Sequence, residues 1–184
     1  MKKILIVPVA LLIFYSCNNN ASNTTTTDTT VLVDTNANPQ LPDTIMNYSF
    51  SDQDKKFINE LAMGNNAEIA AGRMALEKSS DSALKNFANM MIDDHSGIQN
   101  ELKQTTGTAA DSAMAITPPA PVKLTGSTGK SFDKAYAATM VADHKKVVSL
   151  FEKQIAEGSN EGLKAFARKH LDHIKMHLEA AKKL

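Results

Sequence analysis

The sequence has one cysteine, no tryptophan and no net charge, and each shortage removes a class of protein. A single thiol cannot close an intramolecular disulfide, so a cystine-stapled secreted scaffold is excluded. Lysine plus arginine and aspartate plus glutamate balance at 20 each. No net field therefore draws in a nucleic acid, and no nucleic-acid partner is expected. With aromatics at only 5%, the core must come from alanine, methionine and aliphatic residues, which favour helices and pack adaptably. No apolar run reaches the roughly 20 residues that span a bilayer. Glycine-rich phosphate loops, nucleophile motifs and paired catalytic carboxylates are also missing, which leaves hydrolase and transferase readings without a foothold.

What is present begins at the N-terminus. Lys2 and Lys3 precede an apolar stretch from Ile4 to Tyr15, the length and charge order of a secretory signal rather than a membrane span. It closes as Phe14-Tyr15-Ser16-Cys17, which resembles the lipobox of bacterial lipoproteins, with Phe14 where leucine is usual. The resemblance implies a signal peptide over residues 1–16 and a lipidated Cys17 as the first mature residue. The membrane then becomes a partner through acyl chains rather than through a spanning helix. Asn18, where some lipoproteins carry aspartate, implies sorting to the outer membrane of the bacterial envelope.

Residues 17–50 follow as an Asn/Thr-rich tether, with Asn18-Asn19-Asn20, Thr24-Thr25-Thr26-Thr27, Pro39 and Pro42. Such a composition buries too little apolar surface to offset the entropy of ordering it. Beyond it the apolar period becomes helical. Ser51 and Asp52 open a first helix, about 52–78, carrying Ile58, Leu61, Ile69 and Leu76. A second, about 81–104, repeats Leu84, Phe87, Met91, Ile98 and Leu102. A third runs over about 130–157 and a fourth over about 160–182, parted by Gly158-Ser159-Asn160. Leu84-Lys85-Asn86-Phe87-Ala88 echoes Leu163-Lys164-Ala165-Phe166-Ala167, which fits two helical hairpins. Residues 105–129, with Pro118-Pro119-Ala120-Pro121, read as a helix-breaking crossover. Extended, they reach about 80 Å, and a 26-residue helix is about 39 Å long. A crossover running the whole length of the bundle and a simple up-and-down arrangement both remain open.

Each helix carries an ionisable residue on or beside its apolar stripe. At about 100° per residue, His95 falls between Met91 and Ile98, and His144 between Met140 and Val148. His170 and His177 share the Leu163-Phe166-Ile174 face, and Glu68 sits at the edge of the first stripe. Asp94, Asp143 and His173 flank their stripes. Counted from the helix turns, most of Glu68, His95, His144, His173 and His177 fall in the middle third of the bundle, with His177 the furthest from its turn. One inward polar group per helix is how bundles build metal sites, and left unpaired such groups are costly to bury. Glu68, His95, His144 and His177 are therefore candidate ligands for iron, copper or zinc, with Asp94, Asp143, His170 and His173 as supporting or alternative ligands. The His170, His173 and His177 spacing can also chelate on one helix. The plainer reading is a hydrogen-bonded core network in which Glu68 pairs with a histidine.

The segments Gly64-Asn65-Asn66-Ala67-Glu68-Ile69, Leu84 to His95, Asp143-His144, and Leu163 to Ala167 with His177 resemble a bacterial ferritin-like family of unknown function, the "predicted outer membrane protein" type. The resemblance implies an all-α, ferritin-like four-helix bundle exported to the envelope, and no established activity. Di-iron ferritins use Glu-x-x-His pairs, whereas Ile92, Val141 and Ile174 stand three before the histidines here. Three functions are thus expected in order: a non-catalytic envelope lipoprotein that binds a partner or serves in stress or surface maintenance, a metal-binding or metal-oxidising bundle, and a structural spacer.

Overall fold

The structure, a computed structural model, describes residues 49–184. The signal segment, Cys17 and nearly all of the tether lie outside the described residues. Within them the chain is all-helical, with no strand. The long helices are α1 (Asp52–Lys78), α2 (Ser82–Thr106), α5 (Gly129–Glu157) and α6 (Glu161–Ala181), and the short α3 (Asp111–Met114) and α4 (Val122–Thr125) lie between α2 and α5.

The helices start where the sequence supplies caps. Ser51 and Asp54 form a reciprocal capping box at α1, satisfying orphan backbone N–H groups. Asp81 accepts from the Ala83 and Leu84 N–H groups at α2, and Asn160 from Leu163 N–H at α6. α2 ends at Gly107, whose φ of 60° is a left-handed conformation that glycine adopts without a Cβ penalty.

Side-chain contacts fix how the helices run. The Asn65–His95 hydrogen bond and the Gln99 bonds to Ala62 and Asn66 hold α1 antiparallel to α2. Phe57 meets Phe151 edge-on at 5.2 Å, and the Lys78 ammonium lies 5.7 Å over the Phe132 ring, so α5 runs antiparallel to α1. Asp94–His177 and Glu101–His170 contacts hold α6 antiparallel to α2, and Phe151 against Phe166 closes α5 on α6. The result is a bundle-like domain in which every adjacent pair is antiparallel. α2 therefore ends near the start of α1, and α5 begins near the end of α1.

The connection between them must travel the length of α1, and it does. Ala110 and Ala113 pack into the core around Phe57 and Ile58. Asn66 then donates to the carbonyls of Met114 and Ile116 at 2.7 and 2.8 Å. Lys78 donates to the carbonyls of Leu124 and Thr125, and Leu124 is fully buried. The segment read from the sequence as helix-breaking is partly helical: residues 107–110 form a 3-10 turn and continue into α3, and α4 follows Pro121. The reason is burial. Ala110, Ala113 and Leu124 face the core, and coiling into single turns satisfies the backbone that they carry inward.

The core is split in two. One cluster gathers Phe57, Ile58, Leu61, Ile98, Leu102, Phe151, Phe166 and Ile174, and the other Ala71, Ala75, Leu84, Phe87, Met91, Phe132, Tyr136, Met140 and Ala181. On each long helix the residues that belong to neither cluster, at the level between them, are polar: Asn65 and Glu68, His95, His144, and His177.

Candidate metal centre

That polar layer brings together Glu68, His95, His144 and His177, the residues singled out from the sequence. Glu68 is 3% exposed, His95 1%, His144 and His177 not at all. The three imidazole rings stand almost equidistant, with centroid separations of 5.6, 5.4 and 5.5 Å. One ring nitrogen from each lies within 4.8 Å of the others. Glu68 Oε2 is 2.8 Å from His95 Nε2 and 3.5 Å from His144 Nε2.

Hydrogen bonds behind the rings fix which nitrogen faces the centre. Gln99 donates through Nε2 to Ala62 O and Asn66 Oδ1, so its Oε1 is the acceptor for Asn65 Nδ2 at 3.0 Å. Asn65 therefore presents Oδ1 to His95 Nδ1 at 2.9 Å, which must be the protonated nitrogen. His144 Nδ1 lies 2.9 Å from the Met140 carbonyl, which can only accept. His177 Nε2 donates to Asp94 Oδ2 at 2.9 Å. In the neutral rings the lone pairs are then on His95 Nε2, His144 Nε2 and His177 Nδ1. Those three atoms, with Glu68 Oε2, are buried and make no hydrogen bond. The 2.8 Å contact between Glu68 and His95 lacks the alignment of one.

Four electron-pair donors thus sit together with nothing to receive them. A proton on His95 satisfies one oxygen and one nitrogen, but leaves His144 Nε2 and His177 Nδ1 as they are. Electrostatics points the same way. Burial, and next the field of His95, push His177 down to about 4, and burial outweighs Glu68 in lowering His144. Burial would raise the Glu68 carboxyl, but the neighbouring histidines, His95 foremost, hold it below its ordinary value. Glu68 is therefore an ionised carboxylate beside His144 and His177 imidazoles that burial keeps neutral, the protonation state that metal ligands need. Atoms bound to one ion at about 2.1 Å lie about 3 to 4 Å apart; the Glu68–His144 separation of 3.5 Å falls in that range, and the Glu68–His95 contact of 2.8 Å is slightly shorter. Each histidine is also oriented from behind by an amide oxygen, a carbonyl or a carboxylate, the usual outer support of a metal-bound imidazole.

The supporting residues separate. Asp94 joins the layer: burial would raise its pKa, but bonds from His177 and His173 bring it below the ordinary value. His173 Nε2 lies 3.0 Å from Asp94 Oδ2. His170 does not join. It pairs with Glu101 at 3.1 Å and packs on Phe166, so the three histidines of α6 do not converge on one point. Asp143 faces outward to Lys146 at 2.9 Å. Both nevertheless border openings of the helix bundle. A cavity of about 250 Å³ between α1, α5 and Pro118 is walled by Met63, Gly64, Ala67 and Val147; it reaches Glu68 and has Asp143 and Lys146 among its lining residues. Sequence reasoning missed Asn65 and Gln99 as partners of the layer, and Tyr136, whose buried hydroxyl has no partner and whose pKa is raised by burial and by Glu68. Asn65 carried a signal, an amide on an apolar stripe three residues before Glu68.

No curated protein and no solved structure matches this chain. Residues 40–184, which include every residue of the polar layer, match a family described as a domain of unknown function, DUF4142. The chain belongs to that family.

Proposed function

We propose that this protein is a bacterial envelope lipoprotein whose helical domain, a ferritin-like four-helix bundle of two hairpins, holds one tightly bound transition-metal ion between Glu68, His95, His144 and His177. The observation that carries the reading is the convergence of four buried, unpartnered electron-pair donors at the level where the apolar core is interrupted. Burying an unpaired polar atom costs about 1–3 kcal/mol, and without a metal ion a proton on His95 offsets that cost for Glu68 and His95 but not for His144 Nε2 and His177 Nδ1. Three imidazoles and one carboxylate suit iron, copper or zinc, and the lack of a second inward carboxylate at this level, among the described residues, separates the site from a di-iron carboxylate centre. The bound ion supplies Lewis acidity and, for iron or copper, redox chemistry. The cavity beside Glu68 gives a small molecule an approach from the α1–α5 side. The N-terminal segment supports the anchor, with Lys2, Lys3, the apolar run and Cys17 in lipoprotein order, and Asn18 supports the outer membrane as its destination.

Metal analysis of protein purified without a polyhistidine tag tests the site. After incubation with Fe²⁺, Cu²⁺ or Zn²⁺ and exhaustive dialysis, one ion per chain is expected to remain with at least one metal. The His95→Ala, His144→Ala double variant should retain none. Free ion at a hundredfold excess over Kd should raise the unfolding free energy by about 2.7 kcal/mol. Wild-type protein that retains no ion and melts at an unchanged temperature with all three metals would sink the proposal.

A further inference from the structure

On the side of His177 that faces away from the buried layer, ligating atoms converge a second time. Asp94 Oδ2 lies 2.9 Å from His177 Nε2 and 3.0 Å from His173 Nε2. One donor atom from each of Asp94, His173 and His177 lies within 4.8 Å of the others. His173 and His177 are four apart on α6, so they stack on one face, their rings 4.4 Å apart and nearly perpendicular. α2 brings Asp94 up between them. Unlike the inner layer, this group meets solvent: the Asp94 and His173 side chains are 31% and 39% exposed. They border a surface groove that also carries Asp93, Glu101 and His170.

We propose that Asp94, His173 and His177 form a second, outer site for a divalent transition-metal ion, sharing His177 with the inner one. Two imidazole nitrogens and one carboxylate oxygen make a donor set for Zn²⁺, Cu²⁺ or Ni²⁺, and the open side leaves further coordination positions to water. Asp93 adds negative charge at the mouth, and Lys169 is neutralised by Glu101 at 2.8 Å. Being open to solvent, the outer ion exchanges faster and binds more weakly than the inner one. The proton count follows from the ring nitrogens. His173 keeps its proton by moving it from Nε2 to Nδ1. His177, with Nδ1 on the inner ion, binds the outer ion through Nε2 after releasing that ring proton to solvent, and the imidazolate bridges the two metals. The bridge rests on the inner site proposed above; the outer trio stands on its own three residues.

The test is a Cu²⁺ titration of the full, untagged protein, read as bound equivalents and by electron paramagnetic resonance. Wild type should bind two equivalents, the second at least tenfold more weakly, and the doubly loaded form should show a signal attenuated by exchange coupling. His173→Gln, a substitution at a partly exposed position, should bind one uncoupled equivalent, and His170→Ala should still bind two. His95→Ala, His144→Ala should bind one, and adding His173→Gln to it should abolish binding. Circular dichroism melts in the absence of metal check that each variant is folded. A His173→Gln protein that binds as wild type does overturns the outer site and leaves the inner one standing. Loss of the only bound ion in His173→Gln, with none lost in His95→Ala, His144→Ala, overturns the inner site instead. Two equivalents without coupling overturn the shared histidine.

Discussion

At the scale of single residues, Asp54 does more than cap a helix. Its carboxylate accepts from Ser51 at the start of α1, from Gln154 Nε2 at 2.6 Å, and from Ser159 Oγ at 2.6 Å across the α5–α6 turn. Burial pushes its carboxyl up, but the bonds from Ser159, Gln154 and Ser51 win and hold it far below its ordinary 3.8. The folded state therefore releases this proton more readily than the unfolded chain does. Its stabilisation is complete above pH 3.8 and drains away as the pH falls below that value. Asp54→Asn should lower the unfolding free energy by about 1–3 kcal/mol at pH 7. The gap to wild type should narrow in denaturant titrations as the pH drops from 4 to 2. A gap that is constant with pH would show that the charge does not matter. Glu68, His95, His144 and His177 are legible in the sequence because an ionisable side chain interrupts an apolar stripe. The reach of Asp54 over 100 residues to Gln154 is not, since it exists only after α1 packs on α5. Asp94 and Asp143 look alike in sequence, each before a histidine. Yet one meets α6 and the other meets Lys146, because the residue beside an inward position faces whichever neighbour its helix happens to have.

At the scale of helices, two glycines of α1 allow a matched test. A Cβ on Gly72 would lie 2.9 Å from Ile92 Cγ1 and 3.1 Å from the Ala88 carbonyl, so that residue sets how closely α1 and α2 approach. A Cβ on Gly64 would meet nothing within 4 Å. Alanine gains up to about 1 kcal/mol in helix propensity at either position. Gly64→Ala should therefore stabilise by about 0.5–1 kcal/mol. Gly72→Ala should lose that gain to crowding and be neutral or destabilising, and Gly72→Val should cost about 2 kcal/mol or more. Thermal melts of the three variants decide it, and equal gains for both alanines would disprove close packing at Gly72. The all-helical character was legible from apolar spacing and caps. The course of residues 107–128 was not. Proline announces a break in regular structure, but the path along α1 depends on Asn66 and Lys78 gripping its carbonyls.

At the scale of the whole molecule, the proposed anchor and the helical domain are separable. Among the described residues no helix is long and apolar enough to cross a membrane. If acyl chains on Cys17 provide the attachment, Cys17→Ser expressed in a lipoprotein-producing bacterium should leave the membrane fraction. It should also lose incorporation of labelled palmitate while keeping its metal content. Retention in the membrane fraction without label would reassign the attachment to the apolar run before it.

The proposed ligands are divided evenly along the chain. Glu68 and His95 belong to α1 and α2, His144 and His177 to α5 and α6. Each of these helix pairs would bring half of a coordination shell, and neither half could close around an ion alone. A metal at the centre would then be a rivet through the middle of the protein, joining two halves whose only covalent link is a strap along the outside of α1. Loss of the ion would be felt less in any one helix than in the grip of one helix pair on the other.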